Sequence, residues 1–242
     1  MIPRSAMALA AGLGTRMLPL TERLPKALVE VGGRSLLERV LDRLDQVGVK
    51  RVVVNIHHLG EMVEARLEQR ARPEVTLSRE AVLLETGGGV LQALPLLGMA
   101  PFFVTSTDVV WTESASPAFA RLARAWQEDA MDALLLLYPA KGALGYTGPG
   151  DFLMDPAGRL SRRPRNGEAP YLFTTVQLLH PRLFAGLKIE PFSLNLVYDR
   201  AITAGRLYGL VHNGLWAHVG TPDIIEPAAL LLAAAEQERA LR

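Results

Sequence analysis

Apolar and polar positions along the chain follow two rhythms. Short apolar runs at Ser5–Ala10, "RVVVN" over 51–55, Phe102–Ser106 and Ala133–Tyr138, with the strand-like Val75–Ser78, read as strands of a parallel sheet. Between them, spacings of three and four predict helices. Leu36–Val47 sets Leu36, Leu37, Val40, Leu41, Leu44 and Val47 on one face, and Gly48 follows as a stop. Leu59–Arg70 turns Leu59, Met62, Val63 and Leu67 inward, and further helices are predicted from about Gly89 to Leu97 and from about Pro117 to Glu128. Repeated strand–helix units of this length predict an α/β fold, a Rossmann-like open, mostly parallel mixed sheet with helices on both faces.

Past residue 140 the pattern changes. The stretch "AKGALGYTGPGDFLMDPAGRLSRRPRNGEAP" (140–170) is rich in Gly, Pro and charge, with short strand-like pieces such as Phe152–Met154. A structureless linker of that length is unusual inside a domain, so hairpins forming a lid or a substrate-side subdomain are expected. "YLFTTVQLLH" (171–180) restores a strand signal, and Leu207–Val211 and Trp216–Val219 read as strands flanked by helices over Leu194–Ala204 and Pro222–Arg239. The expectation is one domain of two halves, about 1–139 and about 140–242.

With 242 residues, 49% of them apolar, the chain is long enough for a large single core. A net charge of +1 supplies no global field for nucleic acid or anionic lipid, so any anion site has to be local. The basic run "RLSRRPR" (159–165) has no interleaved aromatics and reads as a solvated hairpin face. The first apolar run is too short to span a membrane and runs into a Gly turn. The absence of cysteine removes disulfides, zinc–thiolate sites and thiol nucleophiles, and fits a reducing cytoplasm. No nucleic-acid or membrane partner is expected, and the chain is expected to be a monomer or homodimer.

In open α/β sheets, ligands gather at the carboxyl ends of the strands. Four segments there carry chemistry: the opening loop "LAAGLGTRMLPLTERLPKALVEVGG" (9–33), "NIHH" (55–58), "LLETGGG" (83–89) and "TSTD" (105–108). Gly12 and Gly14 allow main-chain N–H groups to wrap phosphate oxygens, while Arg16 offers a planar fork and Lys26 a compact charge. The loop is not a Walker A motif, nor a Rossmann fingerprint, since Met17 stands where a third Gly would be. Asp108 closes an apolar strand and suits either a hard-cation ligand or a helix N-cap. Beside the opening loop, metal ligation is the favoured role. Three consecutive glycines after Glu85 and Thr86 would let backbone pass flat against a base. Asn55 and His57 read as loop-bonding residues.

The opening loop, with "VVVNIHHLG", "LLETGGGVLQALPLL", "FFVTSTDVVW", "GPGDFLMDPAGRL", "LLHPRLF" and "WAHVGTPD", resembles the sugar-1-phosphate nucleotidyltransferases over nearly the whole chain. The resemblance implies a glycosyltransferase-A-like fold and transfer of a nucleoside monophosphate from a nucleoside triphosphate to a sugar 1-phosphate, with release of pyrophosphate. Arg16, Lys26 and Asp108 would be catalytic, with Mg²⁺, or Mn²⁺, on Asp108. Ala10, Ala11, Gly12, Gly14, Thr15, Arg16, Glu80, Glu85, Thr86 and Gly87 would bind nucleotide, and Asp151, Thr175 and Asn195 the sugar. The Glu-Thr-Gly-Gly-Gly box, the short length and the lack of a C-terminal β-helix resemble most the branch that joins UTP to N-acetylmuramate 1-phosphate in cell-wall recycling. The branch joining GTP to mannose 1-phosphate is similar.

Three departures from the family pattern stand out. His218 occupies the place where an Asp normally gives magnesium its second protein ligand. Three readings follow: Asp108 suffices with phosphates and waters; the protein prefers another metal such as manganese; or the chain is a catalytically weakened nucleotide-sugar binding or regulatory protein. The first is favoured. Thr175 replaces a Gly that lets the sugar approach its strand. Ser106 stands where an Asn is common.

Overall fold

The computed structural model describes residues 1–240. Five strands of the first half, β1 (Ser5–Leu9), β4 (Arg51–Ile56), β5 (Glu74–Arg79), β6 (Phe102–Ser106) and β8 (Ala133–Pro139), fall where the apolar runs predict them. Two short strands, β2 (Glu30–Val31) and β3 (Arg34–Ser35), form a separate hairpin, and β7 (Val109–Trp111) lies off the main sheet. The helices are α1 (Leu36–Gln46), α2 (Gly60–Leu67), α3 (Glu85–Leu97), α4 (Ala118–Ala125), α5 (Asn195–Thr203) and α6 (Ile225–Ala240). In the second half, β9 (Phe152–Met154), β10 (Leu160–Arg162), β11 (Tyr171–Leu179), β12 (Leu207–Val211) and β13 (Trp216–His218) complete the chain.

The main sheet runs β10-β9-β11-β6-β1-β4-β5, and β8 pairs with both β11 and β12. Pairings among β1, β4, β5 and β6 are parallel, as is β12 with β8, while β11 is antiparallel to β6, β8 and β9. The 140–170 segment therefore supplies a hairpin, β9–β10, that extends the same sheet at its edge. Its basic residues are mostly occupied: Arg162 bonds Asp199 and the Asn195 carbonyl, and Arg163 the Pro164 and Gly167 carbonyls.

Alternation along the buried strands sorts side chains to two faces. Ala6, Ala8, Val52, Val54, Phe103, Leu134 and Leu136 face one cluster with Leu37, Val40, Leu41 and Leu44 of α1, Val63 of α2 and Phe119 of α4. Met7, Val53, Phe102, Val104, Leu135 and Leu137 face the other with Val90 and Ala93 of α3 and Val197 and Tyr198 of α5. Both faces are covered, which is why the strands read as continuous apolar runs rather than alternating ones. A third, smaller cluster of Met17, Val29, Val31, Val110, Ala217, Val219, Ala228 and Leu232 pins the opening loop and α6 to β7 and β13. At the start of α1, the Ser35 hydroxyl accepts from Glu38 N–H at 3.3 Å and donates to the Glu38 carboxylate at 2.6 Å, a side-chain cap that fixes the boundary.

Several boundaries differ from the sequence reading. α2 and α4 are shorter, and Pro222–Ile224 forms a separate 3₁₀ turn before α6. The largest correction is α3, which begins at Glu85 rather than near Gly89, so the three glycines lie inside its first turn. The following segment fills the space above them. An added Cβ would lie 2.3 Å from the Phe192 ring at Gly87, 2.2 Å from Glu190 O at Gly88, and 2.7 Å from Glu80 Oε1 at Gly89. Gly87 and Gly88 let the 190–194 segment lie flat on the helix start, and Gly89 makes room for Glu80.

Candidate active site

The carboxyl ends of β1, β4, β5 and β6 meet at one edge, where a cavity of about 390 Å³ opens. It is lined by Ala10, Ala11 and Gly12 of the opening loop, Asn55 at the end of β4, and Lys26. Leu83, Glu85 and Thr86 ahead of and within α3, Ser106, Thr107 and Asp108 after β6, and Ser193 complete it. Gly12 has nothing within 4 Å of an added Cβ, so its face is open to a ligand. Gly14 has φ of +66°, and a Cβ there would sit 2.8 Å from Thr21 Cγ2 and 3.0 Å from Lys26 Cβ. Its missing side chain lets the loop fold back and bring Lys26 over the cavity, and the Thr21 hydroxyl locks the turn by donating to Gly14 O at 2.8 Å.

Asp108 is fixed from below. Thr107 donates both its N–H (3.2 Å) and its hydroxyl (3.1 Å) to Leu9 O at the end of β1. Lys26 Nζ then reaches Asp108 Oδ2 at 2.7 Å, across 82 residues of sequence. His218 Nε2 lies 3.3 Å from the same oxygen. A carboxylate only accepts, so that ring nitrogen carries the hydrogen. Gly220 leaves room for the imidazole, since a Cβ there would lie 2.8 Å from His218 Cε1. Trp216, two residues back on β13, stacks on the ring at 6.4 Å between centroids. Burial pushes the Asp108 carboxyl up, but the His218 hydrogen bond and the Lys26 charge outweigh it and hold the group well below the usual carboxylate range.

The start of α3 has a second occupant. Gly87 and Gly88 N–H groups donate to Phe192 O at 2.8 and 3.2 Å, Phe192 N–H donates to Leu84 O, and Leu194 N–H to Thr86 Oγ1 at 2.9 Å. The helix N-terminus is capped by protein, so Gly87 is a packing position and does not line the cavity. Glu85, which does line it, is held at φ of +58°. Glu80 lies beneath the wall rather than on it: both of its carboxylate oxygens accept from protein donors, Asn55 Nδ2 and Leu84 N.

The remaining sequence candidates are dispersed. Thr15 and Arg16 lie on an exposed 3₁₀ turn outside the cavity lining, and Arg16 makes no hydrogen bond or ion pair among the described residues. Asp151 accepts from Phe173 N–H at 2.8 Å and joins β9 to β11 as a turn residue would. Thr175 sits at an irregularity in β11, with φ of +70° and a buried hydroxyl that has no partner. A left-handed conformation there is what a Gly would adopt without strain. Asn195 is exposed at the first position of α5, two residues from Ser193. The sequence reading marked the segments that hold Leu83 and Thr107 without naming either residue, and it missed Ser193, which folding brings to the wall from far along the chain.

An open sheet with a glycine loop, a lysine and a carboxylate converging at its carboxyl edge is the setting of a protein that handles nucleotides. The comparisons narrow the class. Residues 6–216 match the MobA-like NTP transferase domain, and the chain belongs to that family. It is 41% identical over 226 residues to the N-acetylmuramate alpha-1-phosphate uridylyltransferase of Caulobacter vibrioides, covering 91% of this chain and 93% of that one. It is 34% identical to the enzyme of the same name from Neisseria meningitidis, covering 95% and 98%. Among solved structures, the inositol-1-phosphate CTP transferase from T. maritima superposes with a TM-score of 0.78 at 19% identity, covering 98% of both chains. The chain is thus a sugar-1-phosphate nucleotidyltransferase. No helix among the described residues is long and apolar enough to cross a membrane.

Proposed function

We propose that the protein transfers a uridylyl group from UTP to N-acetylmuramate 1-phosphate, forming UDP-N-acetylmuramate and pyrophosphate in the cytoplasm as part of cell-wall sugar recycling. The observation that carries the reading is the 2.7 Å contact of Lys26 with Asp108 at the floor of the cavity framed by the opening loop. The two relatives described above support the choice of substrates.

In this reading an oxygen of the sugar phosphate attacks the α-phosphorus in line, the new P–O bond forms, and the bond to the bridging oxygen of pyrophosphate breaks. The protein positions charge and supplies little covalent chemistry. The backbone of Ala10–Gly12 lies along the triphosphate. Lys26 neutralises charge on the α-phosphate or the incoming phosphate, and Arg16 closes on the leaving pyrophosphate from the loop surface. Asp151, Thr175 and Asn195 belong to the sugar side.

The donor set fits a divalent cation that keeps waters and substrate oxygens as ligands. Both protein hydrogen bonds to Asp108 fall on Oδ2, so Oδ1 keeps its lone pairs for a hard cation. No group of three His, Cys, Asp or Glu side chains capable of caging a metal occurs among the described residues. Asp108 would hold magnesium, or manganese in its place, and the ion would supply positive charge to offset the negative charge that develops on the phosphates. His218, as a hydrogen donor to Asp108, serves to orient the carboxylate rather than to ligate the ion.

The test measures pyrophosphate release from each nucleoside triphosphate against a panel of sugar 1-phosphates. UTP with N-acetylmuramate 1-phosphate should give the highest kcat/KM. Preference for GTP with mannose 1-phosphate would replace the substrate pair, and tight nucleotide binding without turnover on any pair would replace the enzyme by a binding protein.

A further inference from the structure

Glu80 is 5% exposed and forms no salt bridge among the described residues, an uncommon setting for a carboxylate. Its bonds make a directed chain across the wall of the cavity. Ala10 N–H donates to Asn55 Oδ1 at 2.8 Å, Asn55 Nδ2 donates to Glu80 Oε1 at 2.7 Å, and Leu84 N–H donates to Glu80 Oε2 at 2.8 Å. His57 Nδ1 donates to Glu80 O at 2.8 Å, and Glu80 N–H to Ile56 O at 2.9 Å, so the backbone at 80 is tied to the end of β4 as well. Gly89 completes the fit, because a Cβ there would stand 2.7 Å from Glu80 Oε1 and 3.0 Å from Asn55 Nδ2. The groups tied together are the walls: Ala10 and Asn55 on one side, and the 83–86 turn on the other.

We infer that Glu80 is a positioning residue, an interior carboxylate that holds the opening loop and the start of α3 at a set separation without touching the nucleotide. The inference rests on the nucleotide-site reading above. Its logic is one of hydrogen-bond direction. The two ends of the chain, Ala10 N–H and Leu84 N–H, are backbone donors and cannot change role. Asn55 passes the polarity on with one acceptor and one donor. Only a group that accepts at both oxygens can close the chain. Glutamine has the same shape, yet in place of Glu80 it leaves one donor facing another. Rotating its amide, or that of Asn55, only moves the mismatch along.

That logic yields a swap in which Asn55→Asp is combined with Glu80→Gln. Aspartate at 55 would accept from Ala10 N–H with one oxygen and from the glutamine amide with the other. The glutamine carbonyl would accept from Leu84 N–H. Every bond returns, with the negative charge moved from one side chain to its neighbour.

The experiment compares wild type, E80Q, N55D and N55D/E80Q by steady-state kinetics with UTP and N-acetylmuramate 1-phosphate, by UTP calorimetry and by thermal melting. Each single variant should raise KM for UTP by about tenfold or more, the scale set by one unsatisfied buried polar group. KM for the sugar 1-phosphate should stay within about twofold, a split that general destabilisation would not produce. The double variant should return KM for UTP to within about threefold of wild type. An E80Q variant that binds UTP as wild type does, or a double variant no better than its singles, overturns the inference. If a single variant does not fold, a double variant that folds and binds UTP sustains it, and one that fails likewise refutes it. If wild type itself binds no UTP, the nucleotide-site reading falls, while recovery of melting temperature in the double variant still decides whether the brace exists.

Discussion

Replacing Gly88 by alanine tests the packing at the start of α3. Inside a helix this substitution ordinarily stabilises, by about 1 kcal/mol. Here the new Cβ would lie 2.2 Å from Glu190 O and 3.1 Å from Leu84 Cβ, and the first of these is backbone that no rotamer change can move aside. Relief requires the 190–192 segment to lift. Overpacking of this kind costs about 1–3 kcal/mol. Lifting also lengthens the bonds from Gly87 and Gly88 N–H to Phe192 O, each worth about 0.5–1.5 kcal/mol. The net expectation is a loss of about 2–3 kcal/mol. For a chain of this size that lowers Tm by roughly 4–12 °C, read by circular dichroism melting. Because Ser193 lines the cavity and follows Phe192 directly, activity well below Tm should fall as well. A G88A protein that melts at or above the wild-type temperature would refute the reasoning and return the glycines to ligand contact.

Asp108→Asn should lower turnover by at least about 10³-fold while the circular dichroism spectrum stays native; a near-normal rate would remove Asp108 from the metal site. His218→Asp should keep or raise magnesium-dependent turnover, measured across a metal titration, and complete loss would show that turnover depends on the imidazole's hydrogen bond to Asp108. Thr175→Gly should raise stability by about 1 kcal/mol in a urea titration, since it relieves a left-handed β-branched residue and removes an unpartnered buried hydroxyl; destabilisation would show that the threonine methyl packs more than the strain costs. Burial pushes the Glu38 carboxyl up, but bonds from Arg66 and Ser35 outweigh it and lower it to about 2. Its folded value is below its unfolded value of about 4.3, so its stabilisation is present above that pH and fades as pH falls toward about 2. The urea midpoint of Glu38→Gln should therefore lie below wild type at pH 6 and converge with it near pH 2, and a constant gap would contradict the assignment.

The parallel strands and α1 were legible because a strand covered on both faces and a helix with one apolar face each leave a plain periodic trace. Lys26 and Asp108 were legible for a related reason: each stands just beyond a strand or turn whose position the pattern fixed. The direction of β11 was not. "YLFTTVQLL" is buried on both sides, and an antiparallel strand in that setting has the same composition as a parallel one. At the glycines of 87–89 the sequence shows that a side chain is missing, without showing what takes its place; here it is Phe192 at Gly87, Glu190 at Gly88 and Glu80 at Gly89. Glu80 was named on the resemblance as a nucleotide contact, but its bonds to Asn55 and Leu84 arise only through folding and left no trace in the sequence. Arg16 was found as a cation, but its position on an exposed turn follows from how Gly14 turns the loop.

The path of β11 has a mechanical consequence. Gln177, Leu178 and Leu179 are paired with β6 on one side and β8 on the other, so the strand bearing Thr175 and the strand ending near Asp108 share a continuous ladder. A jaw-like swing of one half of the molecule against the other would tear that ladder. Any enclosure of a ligand that keeps this pairing intact has to come from surface connections, among them the exposed turn that carries Arg16.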